Sequence, residues 1–220
     1  MALNKLKYNS LNLTPAANKA IGFDSDADAL EATIGGGSMT FIKKLTASSS
    51  SNLNFVNGSS DVVFDSTYKE YLFTFKDIHP SDNATRLKFN ASDDTSSHSY
   101  DVVKTTTMFN AYHNEGGSTA ALTYETGTDE AQSTASIFLG NDTKNDDDAC
   151  MTGFLQIFNP SSTTFVKHFI SRCATYANGD YSVDTHKAGY FNTTSALTAI
   201  QFTMSTGNID VGDICLYGIS

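Results

Sequence analysis

Tyr68-Lys69-Glu70-Tyr71-Leu72-Phe73-Thr74-Phe75-Lys76-Asp77-Ile78 is the stretch on which the fold of this 220-residue chain turns. Tyr71, Phe73 and Phe75 fall on one face of an extended segment, and Leu72, Thr74 and Lys76 on the other. That period of two belongs to a β-strand with one buried face. Pro80 ends it, because a proline has no N–H to give to a sheet ladder.

The same reading extends outward in both directions. Met39–Leu45 is expected as a first strand, with Ser48–Ser51 as a loop. Leu53–Val56 and Val62–Phe64 flank Asn57-Gly58, a dipeptide suited to the positive backbone angles of a tight hairpin. Leu87, Phe89 and Ala91 alternate again, and Asp93–Ser97 reads as a loop. Tyr100–Tyr112 is expected as a strand, straight or bulged, helped by the β-branched run Thr105-Thr106-Thr107. Glu115-Gly116-Gly117-Ser118 turns the chain. Ala121–Tyr124 and Ser136–Leu139 follow as strands, and Asn141–Asp148 as an acidic loop. Phe154–Phe158 and Phe165–Ile170 are expected to pair across Asn159-Pro160. A looser region follows the Asn178-Gly179-Asp180 turn. Leu197–Met204 is then a strand, and Ile214, Leu216 and Gly218 alternate in a closing strand that locks the end of the chain into a sheet.

Nine to eleven such strands with almost no helix indicate an all-β antiparallel sandwich of jelly-roll type, spanning residues 39–220. An up-and-down barrel is the alternative. Residues 1–38 differ: apolar residues are scattered without a sustained period, short helical turns are expected over Ala16–Ala20 and Asp24–Ala32, and Gly35-Gly36-Gly37-Ser38 is a flexible joint. This segment reads as an extended N-terminal arm.

Only 17% of the residues are charged, and the formal net charge is −10. An acidic chain lacks the clustered Lys and Arg on which phosphate binding depends, so no nucleic-acid partner is expected. Lys5, Lys7 and Lys19 are better read as part of an arm that touches an acidic neighbour. No apolar run approaches the ~18 residues of a membrane span, and no basic-then-apolar leader opens the chain, so neither membrane insertion nor export by a signal peptide is expected. Cys150, Cys173 and Cys215 are odd in number and widely spaced, which favours free thiols over a disulfide or a zinc site.

No catalytic, cofactor or metal residues are assigned. The five histidines sit singly, no G-x-S-x-G elbow is present, and Asp24-Ser25-Asp26-Ala27-Asp28 lacks the glycine and terminal glutamate of a calcium loop. Asp142, Asp146, Asp147 and Asp148 read as a solvated turn. Glycan recognition by a sandwich needs loop aromatics flanked by amides and carboxylates, which orient sugar hydroxyls. Tyr112 and Asn114 form one such group; Tyr176, Asn178, Asp180 and Tyr181 form another.

Four segments together carry a resemblance. They are Lys5-Leu6-Lys7-Tyr8-Asn9-Ser10-Leu11, Tyr71–Pro80, Gly153-Phe154-Leu155-Gln156-Ile157-Phe158-Asn159-Pro160 and Ile214-Cys215-Leu216-Tyr217-Gly218-Ile219. In combination they resemble jelly-roll structural proteins of tailed bacteriophages, notably phages of aquatic bacteria. The resemblance implies a non-enzymatic virion subunit and transfers no functional residues. The expected role is a decoration or cement protein on the capsid, held by its arm through Leu3, Leu6, Tyr8, Leu11 and Leu13, with other virion proteins as partners and a homo-oligomeric state. The alternative is a tail-fibre or other receptor-binding subunit whose loops bind host-surface glycan; a depolymerase is a third class that would need a cleft with paired carboxylates.

Overall fold

The computed structural model describes residues 38–220 together with Ala20–Phe23 and Leu30–Thr33. The chain divides into two units, Met1–Ser38 and Met39–Ser220. In the first, β1 (Ala20–Phe23) and β2 (Leu30–Thr33) pair antiparallel, with Ala20 opposite Thr33 and Phe23 opposite Leu30. The helical turn expected over Asp24–Ala32 is corrected at its end, where Leu30–Ala32 belongs to β2; the period-two pairs Ile21/Phe23 and Leu30/Ala32 suit strands. Ala20 opens β1 rather than closing a helical turn. The rest of that turn, the joint over 35–37 and the arm residues Leu3, Leu6, Tyr8, Leu11 and Leu13 lie outside the described residues.

The second unit is an antiparallel β-sandwich, with no helix among the described residues. Its strands are β3 (Met39–Ser50), β4 (Leu53–Val56), β5 (Glu70–Pro80), β6 (Leu87–Ser92), β7 (Lys104–Asn114), β8 (Ala120–Tyr124), β9 (Ile137–Phe138), β10 (Met151–Phe158), β11 (Lys167–Ala177), β12 (Tyr181–Phe191), β13 (Ala199–Met204) and β14 (Ile209–Ile219). They form a larger sheet ordered β3-β14-β5-β10-β11-β12-β7-β8 and a smaller one ordered β4-β13-β6-β9. Two separate sheets exclude the barrel alternative for this unit.

The alternation read from Tyr71, Phe73 and Phe75 is what closes the sandwich: all three are buried. Phe202 of β13 meets Phe73 at 5.3 Å and Phe75 at 5.4 Å across the gap between sheets, and Phe55 of β4 meets Phe73 at 5.2 Å. Further along, Phe89 of β6 stands edge-on to Phe169 of β11 at 5.2 Å and to Phe191 of β12 at 5.9 Å. Edge-to-face rings of this kind add stabilisation beyond the apolar area they remove from water.

β14 lies between β3 and β5, bonded to both. Ile214, Leu216 and Gly218 are buried on its inner face. Gly218 has a steric reason: a Cβ there would stand 2.2 Å from the Tyr68 ring.

Because the larger sheet has twice the strands of the smaller, part of its inner face has no apolar partner layer. There the inward residues become polar, and Lys104, Thr106, Asn110, Ser171, Thr175, Thr185 and Lys187 are all buried. The segment after β8 lies against Lys104, Thr106 and Lys187. Lys104 Nζ donates to the carbonyls of Val102 (2.9 Å), Ser133 (3.4 Å) and Ala135 (2.7 Å), and Lys187 Nζ donates to Thr128 O at 2.8 Å. Burial pulls both ammonium groups down to about 8.

Several boundaries differ from expectation. β3 continues through the serine run, because its partner β14 supplies ladder bonds as far as Ser50. Val62–Phe64 is not a strand: Gly58 N–H donates to Val62 O, so Asn57-Gly58 opens a loop that turns Val62 and Phe64 into the core. The region after Asp180, expected to be loose, is the eleven-residue strand β12. Its inward Thr185 and Lys187 conceal the apolar alternation that would have marked it.

Two outcomes follow. Phe202→Ala should destabilise the protein by about 3–5 kcal/mol, measured by denaturant unfolding, whereas Phe165→Ala, at a side chain 68% exposed, should cost under about 0.5 kcal/mol. Lys104 and Lys187 shed their protons at about 8 when folded but at about 10.4 when unfolded. Between those values the unfolded chain binds more protons, so stability should rise as pH goes from 8 to about 10. Lys187→Met should reduce that slope.

Candidate binding site

The two glycan-type segments, some sixty residues apart in sequence, end on neighbouring strands. β12 pairs with β7 so that Tyr181 is opposite Asn114, Ser182 opposite His113 and Val183 opposite Tyr112. β11 and β12 are joined by Asn178-Gly179-Asp180, with Gly179 at φ +83° and Asp180 at φ +61°. Glycine takes that conformation without steric cost, and aspartate tolerates it better than most residues. The turn is tied to the other segment where Glu115 N–H donates to Asp180 O at 2.9 Å.

All six residues thus gather at one end of the larger sheet, but the sheet itself sorts them onto two sides. Tyr112 and Tyr181 belong to the inner-facing set, their rings edge-on at 5.8 Å, and line a cleft of about 320 Å³ with Asn178 and Asp142. Tyr176 lies on the opposite side with His113 and Ser182, at a cleft of about 450 Å³ that Asn114 and Glu115 also line. Asp180 belongs to neither lining; it is the fastening between the turn and the neighbouring loop.

That fastening is ionic. Lys144 Nζ donates to Asp180 Oδ1 at 2.5 Å and approaches Asp146 Oδ2 at 2.9 Å, while sitting over the Tyr176 ring at 5.3 Å from its centre. Tyr176 Oη donates to the same Asp180 oxygen at 3.2 Å. These bonds hold the Asp180 carboxyl below the usual carboxylate range and raise the Lys144 ammonium above its own. Next to it, Arg86 clamps Asp142 through both oxygens, at 2.6 and 3.1 Å. The acidic loop is therefore partly neutralised, by its own Lys144 and by Arg86 from outside it, and the second pairing is not revealed by the run of Asp in sequence.

Residues that sequence reasoning did not single out lie on the outward face of the same sheet. Cross-strand pairing places Phe41, Tyr217, Leu72, Gln156, Ile170 and Ala188 in one row. Phe154, Arg172, His186, Phe109 and Tyr124 form the next. Phe41, Phe109, Leu122, Tyr124 and Ile170 are exposed there. A trough of about 810 Å³ crosses this face and is followed by one of about 330 Å³, Phe154 and Arg172 lining both.

Within that face Arg172 holds Asp184 with two hydrogen bonds of 2.9 and 2.8 Å, which lowers the Asp184 carboxyl. His186 contacts the same carboxylate at 3.3 Å and stacks flat on Phe109, with ring centres 4.8 Å apart. The trio thus presents two basic groups on one carboxylate. For Asp184 and His186 the signal in the sequence was the Ser182/Asp184/His186 alternation, hidden beside an inner set that includes Thr185 and Lys187. The three cysteines are free; burial pushes the Cys173 thiol up to about 12, which makes it inert at neutral pH.

The chain matches no protein-family model, no curated protein and no solved structure.

Proposed function

We propose that this chain is a non-enzymatic structural subunit of a tailed-phage virion, a jelly-roll decoration or cement protein on the capsid that is attached through its N-terminal arm. The observation that carries the reading is the strand order. Without β7–β8 and β11–β12, the sheets are β3-β14-β5-β10 and β4-β13-β6-β9. In that arrangement the first strand neighbours the last, and the chain alternates between sheets except at the β6–β9 step, which stays in the smaller sheet; this order suits an eight-stranded jelly roll. The two remaining hairpins widen one sheet. The resemblance of Tyr71–Pro80, Gly153–Pro160 and Ile214–Ile219 to phage virion proteins falls on β5, β10 and β14, three strands of this framework.

Residues 1–38 form a unit separate from the sandwich, which suits an attachment element. Its partners are other virion proteins, and symmetry on a particle multiplies weak contacts. Deleting residues 1–38 should leave a sandwich with an unchanged melting transition that no longer co-sediments with particles lacking the subunit. Undiminished binding by the truncated protein sinks the attachment role.

A second reading has one specific observation in its favour: Tyr112, Asn114, Tyr176, Asn178, Asp180 and Tyr181 converge at one sheet end. On this reading the protein is a receptor-binding subunit that grips host-surface glycan. A glycan array should then show binding by the full chain, weakened at least tenfold by Tyr176→Ala. An array without signal removes this reading and leaves the first intact.

A further inference from the structure

A sandwich of this kind has four sheet edges, and three are blunted against pairing. β3 carries Lys43 and Lys44 and a bulge at Ile42, where the partners step from Leu216↔Lys43 to Tyr217↔Phe41. Charge and a bulge are the usual protections of an edge strand. β9 is two residues long; β4 is four, with Leu53 and Phe55 turned into the core. β8 has none of these devices. Its residues Ala120-Ala121-Leu122-Thr123-Tyr124 include no charge and no proline, and Leu122 is 70% exposed.

The backbone of β8 is open in a defined register. At the two ends of the β7–β8 ladder, Asn114 N–H donates to Thr119 O and Glu125 N–H donates to Met108 O. Antiparallel pairs alternate between bonded and non-bonded. Ala121 and Thr123, opposite Tyr112 and Asn110, therefore bond inward to β7. Ala120, Leu122 and Tyr124 direct their N–H and C=O groups away from it, and no bond to these groups occurs among the described residues.

We infer that β8 pairs antiparallel with β8 of a second copy across a two-fold axis at Leu122, joining the two larger sheets into one. The strand is complementary to itself. With Leu122 opposite Leu122, the small Ala120 of each copy lies opposite the large Tyr124 of the other, and the outward backbone groups of the three residues match as bonded pairs. Charge selects the same place. Copies of a chain carrying −10 repel one another, and β8 lets them approach through an uncharged strand. The contact is isologous and therefore closes at two copies. It does not depend on the virion reading, because it is a property of the isolated chain.

Sedimentation of the full-length protein should show a monomer–dimer equilibrium at micromolar concentration. Amide exchange at Ala120, Leu122 and Tyr124 should slow as concentration rises. Leu122→Lys places two cations opposite each other and should abolish the dimer. Leu122→Pro should do the same with an unchanged melting transition, since the N–H it removes is not used by β7. Leu122→Cys should cross-link on mild oxidation while Ala121→Cys and the wild type do not, because bonded pairs stand about 5.5 Å apart at Cα, within disulfide reach. A chain that stays monomeric overturns the inference, as does a dimer that survives Leu122→Lys or leaves those three amides unprotected. If Leu122→Pro does not fold, the exchange and cross-linking results decide alone.

Discussion

The aromatic contact of Phe202 with Phe55, Phe73 and Phe75 is the constraint on which the rest of the structure depends. It clamps the smaller sheet onto the larger one, at the crossing of β13 with β5. Once those rings interdigitate, the faces of β5 are fixed, and a one-residue slip would turn Phe73 and Phe75 to solvent. The neighbours β14 and β10 inherit their inward and outward faces from β5 through the ladder. The outward row from Phe41 to Ala188 is thus a consequence of a packing decision made on the opposite side of the sheet.

The mismatch in sheet width has consequences of its own. Beyond the reach of β6 and β9 the inner face of the larger sheet mixes buried polar residues with Met108 and Val183, and a loop held in part by lysine ammonium groups lies against it. Such anchoring is costly, since a buried ammonium must recover its lost hydration from carbonyl bonds. Lys104 recovers it through three carbonyl oxygens, Lys187 through one. Asn110 Oδ1, Ser171 Oγ, Thr175 Oγ1 and Thr185 Oγ1 are buried there without a hydrogen-bond partner among the described residues. Ordered water is the usual satisfier of such groups. The widened part of the sheet is accordingly the more polar half of the sandwich interior, and it carries both the strand-end clefts and β8.

Legibility in the sequence followed burial chemistry. β5, β6, β13 and the end of β14 were readable because their inward residues are apolar and their outward ones largely polar. β12 was not readable, because Thr185 and Lys187 face inward and His186 and Ala188 outward. The serine run at the end of β3 looked like a loop because serine has little to pack, yet its backbone is held by β14. Of the candidate site, Tyr112, Asn114 and the Tyr176–Tyr181 turn were found as local compositions. Their juxtaposition was not found, since it arises from the β7–β12 register. Arg172, Asp184 and Phe109 were missed for the same reason: each is ordinary alone.

The sequence by itself determined that this chain is all-β, where most of its strands run and which residues fill the core, because a strand's two faces are written in alternate residues. Tertiary structure alone decided which strands are neighbours, and with that the two-sheet order, the division of the tyrosines between two sides and the open edge at β8. Those features depend on contacts between residues far apart in the chain. Such contacts are selected by the packing of whole faces, and no local pattern records them.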